Sequence, residues 1–195
     1  MRDLNVPELG NTTPQRGNGV SALAAGFFLR TLGWGFEGAV PNVSKAVIIV
    51  APHTSNWDFI VGVAAMFALG LRVVFLGKHT LFTWPLGSVM RWLGGVPVNR
   101  REARGVVDET VEMFAARDQM ILGLAPEGTR GSVDRWRTGF YYVALESGVP
   151  IVPVAFDYSR RVIRFCERFD PTGDLENDLR VLKSFFSGIE GRRDI

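Results

Sequence analysis

The chain of 195 residues is expected to fold as an α/β domain, with a mixed, mostly parallel sheet flanked by helices and an apolar interfacial helix near the N-terminus. Three observations carry this expectation. Short β-branched apolar runs alternate with longer segments of helical character, the pattern of βαβ units. Apolar residues make up 47% and charged residues 22% of the chain, so it can bury a sizeable core and does not read as disordered. No internal repeat or compositional break divides it, so a single domain is expected over residues 20–195, after a flexible arm over residues 1–19.

The elements follow in order. Met1 to Gly19 is rich in Pro, Gly, Asn and Thr and reads as the arm. Val20–Leu32 reads as an apolar helix. Lys45–Ala51, centred on Ala-Val-Ile-Ile-Val, reads as a buried strand. Asn56–Leu69 reads as a helix with Ser55 or Asn56 as its N-cap. Arg72–Leu76 is a second strand. Pro85–Leu93 is a short helix opened by proline and stopped by Gly94-Gly95, and Val96–Val98 is a short strand. Ala103–Arg117 is amphipathic, with Val107, Val111 and Phe114 at helical spacing. Met120–Leu124 is a further strand. Gly139–Ser147 is a helix closed by Gly148, with Pro150 beyond it. Ile151–Phe156 and Val162–Cys166 are strands joined so briefly that an antiparallel hairpin is expected, which makes the sheet mixed. Asp174–Phe186 is the last helix.

Charge and cysteine content exclude several classes. Cys166 is the only cysteine, so neither an internal disulfide framework nor a Cys-rich zinc site is available. The formal net charge is +2, which predicts no nucleic-acid partner. The distribution is uneven: Arg72 to Arg104 holds six basic residues against one acid, a stretch that suits an anionic ligand or surface. Gly17 to Leu29 is uncharged but shorter than the roughly 20 apolar residues of a spanning helix. It lacks the flanks of a signal peptide, because Arg2 is offset by Asp3 and Glu8. Val20–Leu32 therefore either rests on a membrane surface or is a core helix. Gly33 to Gly38 matches Gly-x-Gly-x-x-Gly without the strand–turn–helix setting of a dinucleotide site.

In open α/β sheets ligands bind beyond the carboxyl ends of the strands. The segments that follow the first four central strands are Pro52 to Asp58, Gly77-Lys78-His79, Asn99-Arg100-Arg101 and Ala125 to Arg130. Parallel strands would gather them on one edge, with His53, Asp58 and several cations. Side chains on a helix tilt toward its N-terminus, so Asp58 can reach back to His53. A carboxylate on Nδ1–H would fix the imidazole tautomer and leave Nε2 as a general base. No Gly-x-Ser-x-Gly elbow supplies an internal nucleophile, so the base would act on a substrate hydroxyl. On spacing alone, an Asp58 that merely caps the helix and a His53 that merely fills a loop fit equally well.

His53-x4-Asp58, followed in order by Gly94 to Arg100, Pro126-Glu127-Gly128-Thr129-Arg130 and Val149 to Val154, resembles the glycerolipid acyltransferase family, which includes the 1-acylglycerol-3-phosphate acyltransferases. The resemblance runs from Lys45 to Phe156. It implies an O-acyltransferase in which His53, oriented by Asp58, deprotonates the hydroxyl of a lysophospholipid, foremost 1-acylglycerol-3-phosphate, for attack on the thioester of acyl-CoA or acyl-carrier protein. It further implies acceptor binding by Arg100, Glu127, Gly128, Thr129 and Arg130. Guanidinium forks suit phosphate, and a glycine admits close backbone approach. Lys78 either touches phosphate or is a solvated surface lysine, and Trp57, beside Asp58, is a candidate to shape the acceptor or acyl site. No cofactor and no metal are expected, and the donor is a substrate. The implied setting is phospholipid synthesis at the cytoplasmic face of an inner membrane, by a peripheral or monotopic protein. Pro52 and Pro97 depart from the family's usual residues and put the acceptor in play. The alternatives are the same chemistry on a lyso-aminolipid or glycolipid, or an inactive membrane-surface binding protein. Trp136, Phe140, Tyr141 and Tyr142 are core residues or line an acyl groove.

Overall fold

The computed structural model describes residues 4–98, 103–127 and 136–192. Its sheet has seven strands: β1 (Gly35–Glu37), β2 (Lys45–Ala51), β3 (Val73–Lys78), β4 (Gly95–Val98), β5 (Met120–Leu124), β6 (Ile151–Asp157) and β7 (Val162–Phe165). Their spatial order is β1-β7-β6-β2-β5-β3-β4. Every pairing is parallel except β6 with β7, the mixed, mostly parallel sheet that the sequence predicts.

The helices are α1 (Gly19–Thr31), α2 (Asn56–Leu69), α3 (Leu86–Trp92), α4 (Ala103–Ala115), α5 (Gly139–Ser147) and α6 (Leu175–Ser184), with a 3-10 turn over His79–Phe82. β2 shows why the sheet is sandwiched. Ala46 and Ile48 face a core shared with Leu29 of α1 and Val61 and Ala65 of α2. Val47 and Ile49 face the other core, with Phe114 of α4, Tyr141 of α5 and Leu182 of α6. A strand buried on both faces reads as a continuous apolar run. Gly148 closes α5 in the left-handed conformation, at φ 61°, as its position after the helix predicts.

Two features differ from expectation. β1 was not anticipated: it spans three residues between Gly33 and Gly38, and it pairs in parallel with β7 at the sheet edge. The second is the flexible arm. Residues 4–18 contain no helix or strand, yet they lie packed along the domain. Leu4 and Thr13 are buried, and Gln15 bridges to Leu71. Arg16 donates to the carbonyls of Leu93 (2.9 Å) and Trp92 (3.0 Å), stacks over the Phe67 ring at 4.5 Å, and so caps the end of α3. A cation there satisfies carbonyls that a helix end leaves unpaired.

α1 has a buried and an exposed side. Gly26 and Leu29 pack inward, while Val20, Leu23 and Phe27 are exposed. Asn18 and Ser21 form a reciprocal capping box at its start.

Candidate active site

The carboxyl ends of β2, β3, β4, β5 and β6 share one edge because these strands run parallel. β2 leads into α2 on one face of the sheet, and β5 leads toward α5 on the other. Neighbouring strands whose connections depart to opposite faces open a crevice between them, the usual ligand position in such sheets. His53 follows β2 and Glu127 follows β5, so both stand at its mouth.

Local sequence builds the first part of the site. Ser55, in extended conformation, caps α2: its hydroxyl accepts the Trp57 N–H at 3.3 Å. Asp58 is the partner acid of this capping box. Its Oδ2 accepts the N–H groups of Thr54 and Ser55, each at 2.8 Å. The same oxygen lies 3.2 Å from His53 Nδ1. Capping of α2 and contact with the imidazole, which spacing alone presents as rivals, are therefore made by one carboxylate. The side chain of Asp58 is 0% exposed and that of His53 is 23% exposed, so the carboxylate is shielded while the imidazole reaches solvent. With Nδ1–H donated to Asp58, Nε2 carries the lone pair. Among the described residues no hydrogen bond occupies Nε2.

Burial alone would raise the Asp58 pKa. Hydrogen bonds from His53, Tyr158 and the Ser55 N–H outweigh it and hold the carboxyl below its ordinary range. An anion at this position is what an imidazolium forming on His53 requires. Glu127 has the opposite balance: burial pushes its carboxyl up, against an opposing hydrogen bond from the His53 N–H. That bond, from His53 N–H to Glu127 Oε2 at 2.9 Å, ties the β5 loop to the β2 loop and fixes where the imidazole begins. The carboxylate that the resemblance placed in acceptor binding thus also has a structural hold on His53.

The structure brings His53, Asp58, Glu127 and Trp57 together. Trp57 sits in the first turn of α2, is exposed, and carries the Arg192 guanidinium over its ring at 4.9 Å. Lys78 is exposed at the end of β3, on the same edge of the sheet. Arg100, Gly128, Thr129 and Arg130 lie outside the described residues. Phe140 and Tyr141 are core, with Tyr141 donating to buried Asp178 at 2.8 Å, which removes them from an acyl groove.

Sequence reasoning missed two residues. Tyr158 donates its hydroxyl to Asp58 Oδ1 at 2.5 Å. It follows β6, which runs parallel to β2 and ends on the same edge, but the sequence after it carries only the signal of the hairpin turn to β7. Arg192 carries no signal in the sequence; the segment before it folds back so that its carbonyl accepts the Thr54 hydroxyl at 3.1 Å.

Comparison with known proteins agrees with this geometry. Residues 36–157 match the family model "Acyltransferase". The chain is 26% identical over 178 residues to a 1-acyl-sn-glycerol-3-phosphate acyltransferase of Haemophilus influenzae, covering 80% of this chain and 73% of that protein. It is 32% identical over 114 residues to the protein of the same name from Escherichia coli, covering 55% of this chain and 45% of the relative. The chain thus spans less than half of that second relative. The fold resembles the crystal structure of the 1-acyl-sn-glycerophosphate (LPA) acyltransferase PlsC from Thermotoga maritima, with a TM-score of 0.58 at 17% identity, over 88% of this chain and 80% of that one. With the family model matched from β1 through β6 and a paired histidine and aspartate at the sheet edge, the chain belongs to the Acyltransferase family.

Proposed function

We propose that this protein transfers a fatty acyl group from acyl-CoA or acyl-carrier protein to the free hydroxyl of a lysophospholipid, with 1-acylglycerol-3-phosphate as acceptor and phosphatidate as product. The observation that carries the reading is the His53 Nδ1–Asp58 contact at 3.2 Å with a fully buried carboxylate, which leaves Nε2 open at the sheet edge. His53 Nε2 takes the acceptor's hydroxyl proton as its oxygen attacks the thioester carbonyl. The tetrahedral intermediate collapses, the C–S bond breaks, and the thiolate recovers the proton from the imidazolium. An ester replaces the thioester, and no acyl-enzyme forms. Asp58 stabilises the transient imidazolium. Arg100 and Arg130, with Gly128 and Thr129, are assigned to the acceptor phosphate, where bidentate guanidinium contacts are strongest; Lys78, exposed at the carboxyl end of β3, adds charge to the same edge of the sheet.

The acceptor is a lipid, and the protein's surface suits a bilayer. Among the described residues no helix is long and apolar enough to cross a membrane. Val20, Leu23 and Phe27 of α1 are exposed, as are Trp84, Leu86 and Trp92 around α3, Trp84 at 93%. α1 packs on α2, and Trp92 stacks on Phe67 of α2 at 5.4 Å, so both patches flank the helix that carries Asp58. Exposed aromatics beside a basic stretch fit the interface of an anionic membrane, and the assignment is peripheral attachment at the cytoplasmic face of an inner membrane.

The test is an acceptor panel. The purified protein is given labelled acyl-CoA or acyl-carrier protein with lysophosphatidate, a lyso-aminolipid or a glycolipid, and the lipid products are identified by mass spectrometry. Phosphatidate formation supports the reading. Acylation of another alcohol while lysophosphatidate is ignored refutes the acceptor, and thiol release independent of any acceptor makes the protein a thioesterase.

A further inference from the structure

We infer that Tyr158 is a positioning residue of this site: its hydroxyl holds the Asp58 carboxylate in the orientation that keeps His53 Nδ1 engaged and Nε2 turned toward substrate. The inference rests on the proposed roles of His53 and Asp58 and adds a third member to that pair.

The topology delivers Tyr158 to the right place. β6 runs parallel to β2, with Ala155 opposite Ala51. Three residues past Ala155, Tyr158 therefore emerges at the edge where His53 emerges from β2. Its residue number is one beyond the span matched to the family model, so the family match does not include it.

The two oxygens of Asp58 have separate partners. Oδ2 serves the Thr54 and Ser55 N–H groups and His53. Oδ1 has the Tyr158 hydroxyl at 2.5 Å. The Asp58 side chain is fully buried, and a buried carboxylate oxygen without a donor is costly. The hydroxyl satisfies it and stops rotation of the carboxylate about its own bond. Burial, followed by the neighbouring Asp58 anion, pushes the Tyr158 pKa far up, so the phenol stays protonated and acts as donor throughout. Tyr158 is itself held. Its ring meets Trp34 edge-on at 4.9 Å, and its N–H donates to the Glu190 carbonyl at 3.0 Å. Among the described residues, the other charged groups facing the pair are Glu127, from the β5 loop, and Arg192, whose charge acts on the Tyr158 phenol.

Tyr158→Phe keeps the ring and its contact with Trp34 and deletes only the hydroxyl. We expect kcat to fall about tenfold, with KM for donor and acceptor within about twofold. A second readout needs no acyl transfer. The chain has two histidines, so His79→Gln leaves His53 as the only imidazole in the NMR spectrum. In the Tyr158→Phe background the Asp58 carboxylate loses the donor on Oδ1, and the His53 Nδ1–H resonance, which reports the contact with Oδ2, shifts from its position in the parent. An unchanged kcat with an unchanged Nδ1–H resonance overturns the inference. A rise in KM at constant kcat also overturns it, because Tyr158 would then be a substrate contact. If His53→Ala keeps full acyl-transfer activity, the functional reading fails, whereas the Nδ1–H resonance of the His53 protein still reports whether Tyr158 acts on His53 through Asp58.

Discussion

Asp58→Asn isolates the charge of the carboxylate from its geometry. Four donors converge on Asp58: the N–H groups of Thr54 and Ser55, His53 Nδ1 and the Tyr158 hydroxyl. An asparagine can keep its oxygen at the Oδ2 position, where three of them point, and turn its amide toward Tyr158, whose hydroxyl oxygen can accept instead. The cap on α2 and the imidazole tautomer then survive, and the negative charge is lost. With Nδ1 and Oδ2 3.2 Å apart, the charge centres lie roughly 4 Å apart, worth about 4 kcal/mol at an effective dielectric of about 20. At about 1.4 kcal/mol per decade, turnover should fall about 10³-fold, less than the roughly 10⁴ lost in the serine-protease triad, where the same change also sets the wrong imidazole tautomer. The assay is the initial rate of acyl transfer from labelled acyl-CoA to lysophosphatidate, with circular dichroism and a melting curve as fold controls. A folded Asp58→Asn protein within tenfold of the wild-type rate would refute the role of the Asp58 charge.

Two further outcomes follow from the same structure. Asp178, buried between α6 and α5, accepts the Thr172 N–H and hydroxyl and the Tyr141 hydroxyl; burial alone would raise its pKa, and these bonds bring it below the ordinary value. Its contribution to stability is therefore fully present above the unfolded pKa of about 3.9 and is lost as pH falls through the lowered folded value. Asp178→Asn should cost about 2–3 kcal/mol at pH 7 in urea unfolding, with the deficit shrinking as pH falls below the unfolded pKa and through the lowered folded value; a deficit constant with pH would contradict this. The paired substitution Leu23→Ser and Phe27→Ser removes two exposed apolar side chains of α1 and should weaken binding to anionic vesicles about tenfold or more without changing the melting temperature. Unaltered vesicle binding would exclude α1 from the membrane contact.

Much of the fold is legible because its signals are local. The apolar run of β2, the caps at Ser55 and Gly148, and the helical spacing of Val107, Val111 and Phe114 all depend on neighbours in the chain. The packing of residues 4–18 is not local. Arg16 meets Leu93 and Trp92, and Thr12 meets Asn42 at 2.6 Å, so Pro, Gly and Asn content reads as flexibility where distant partners impose order. β1 escapes for a similar reason: three residues between glycines become a strand only beside β7. The site divides in the same way. His53 and Asp58 lie in one short motif and share a capping box, so spacing exposes them. Tyr158 lies 100 positions from Asp58, and only the parallel pairing of β6 with β2 joins them. Glu127 shows an intermediate case. Its motif marks it as important, but its described hydrogen-bond partner is a backbone N–H of the His53 loop, which a motif of side chains does not reveal.

The proposed base is His53, which, oriented by Asp58, activates a lysophospholipid hydroxyl. The decisive comparison is phosphatidate formation by the wild-type protein and by folded His53→Ala, in the same acceptor assay and by mass spectrometry of the product. Phosphatidate is expected from the wild type and none above background from the variant; phosphatidate made by His53→Ala at the wild-type rate would refute the role of His53.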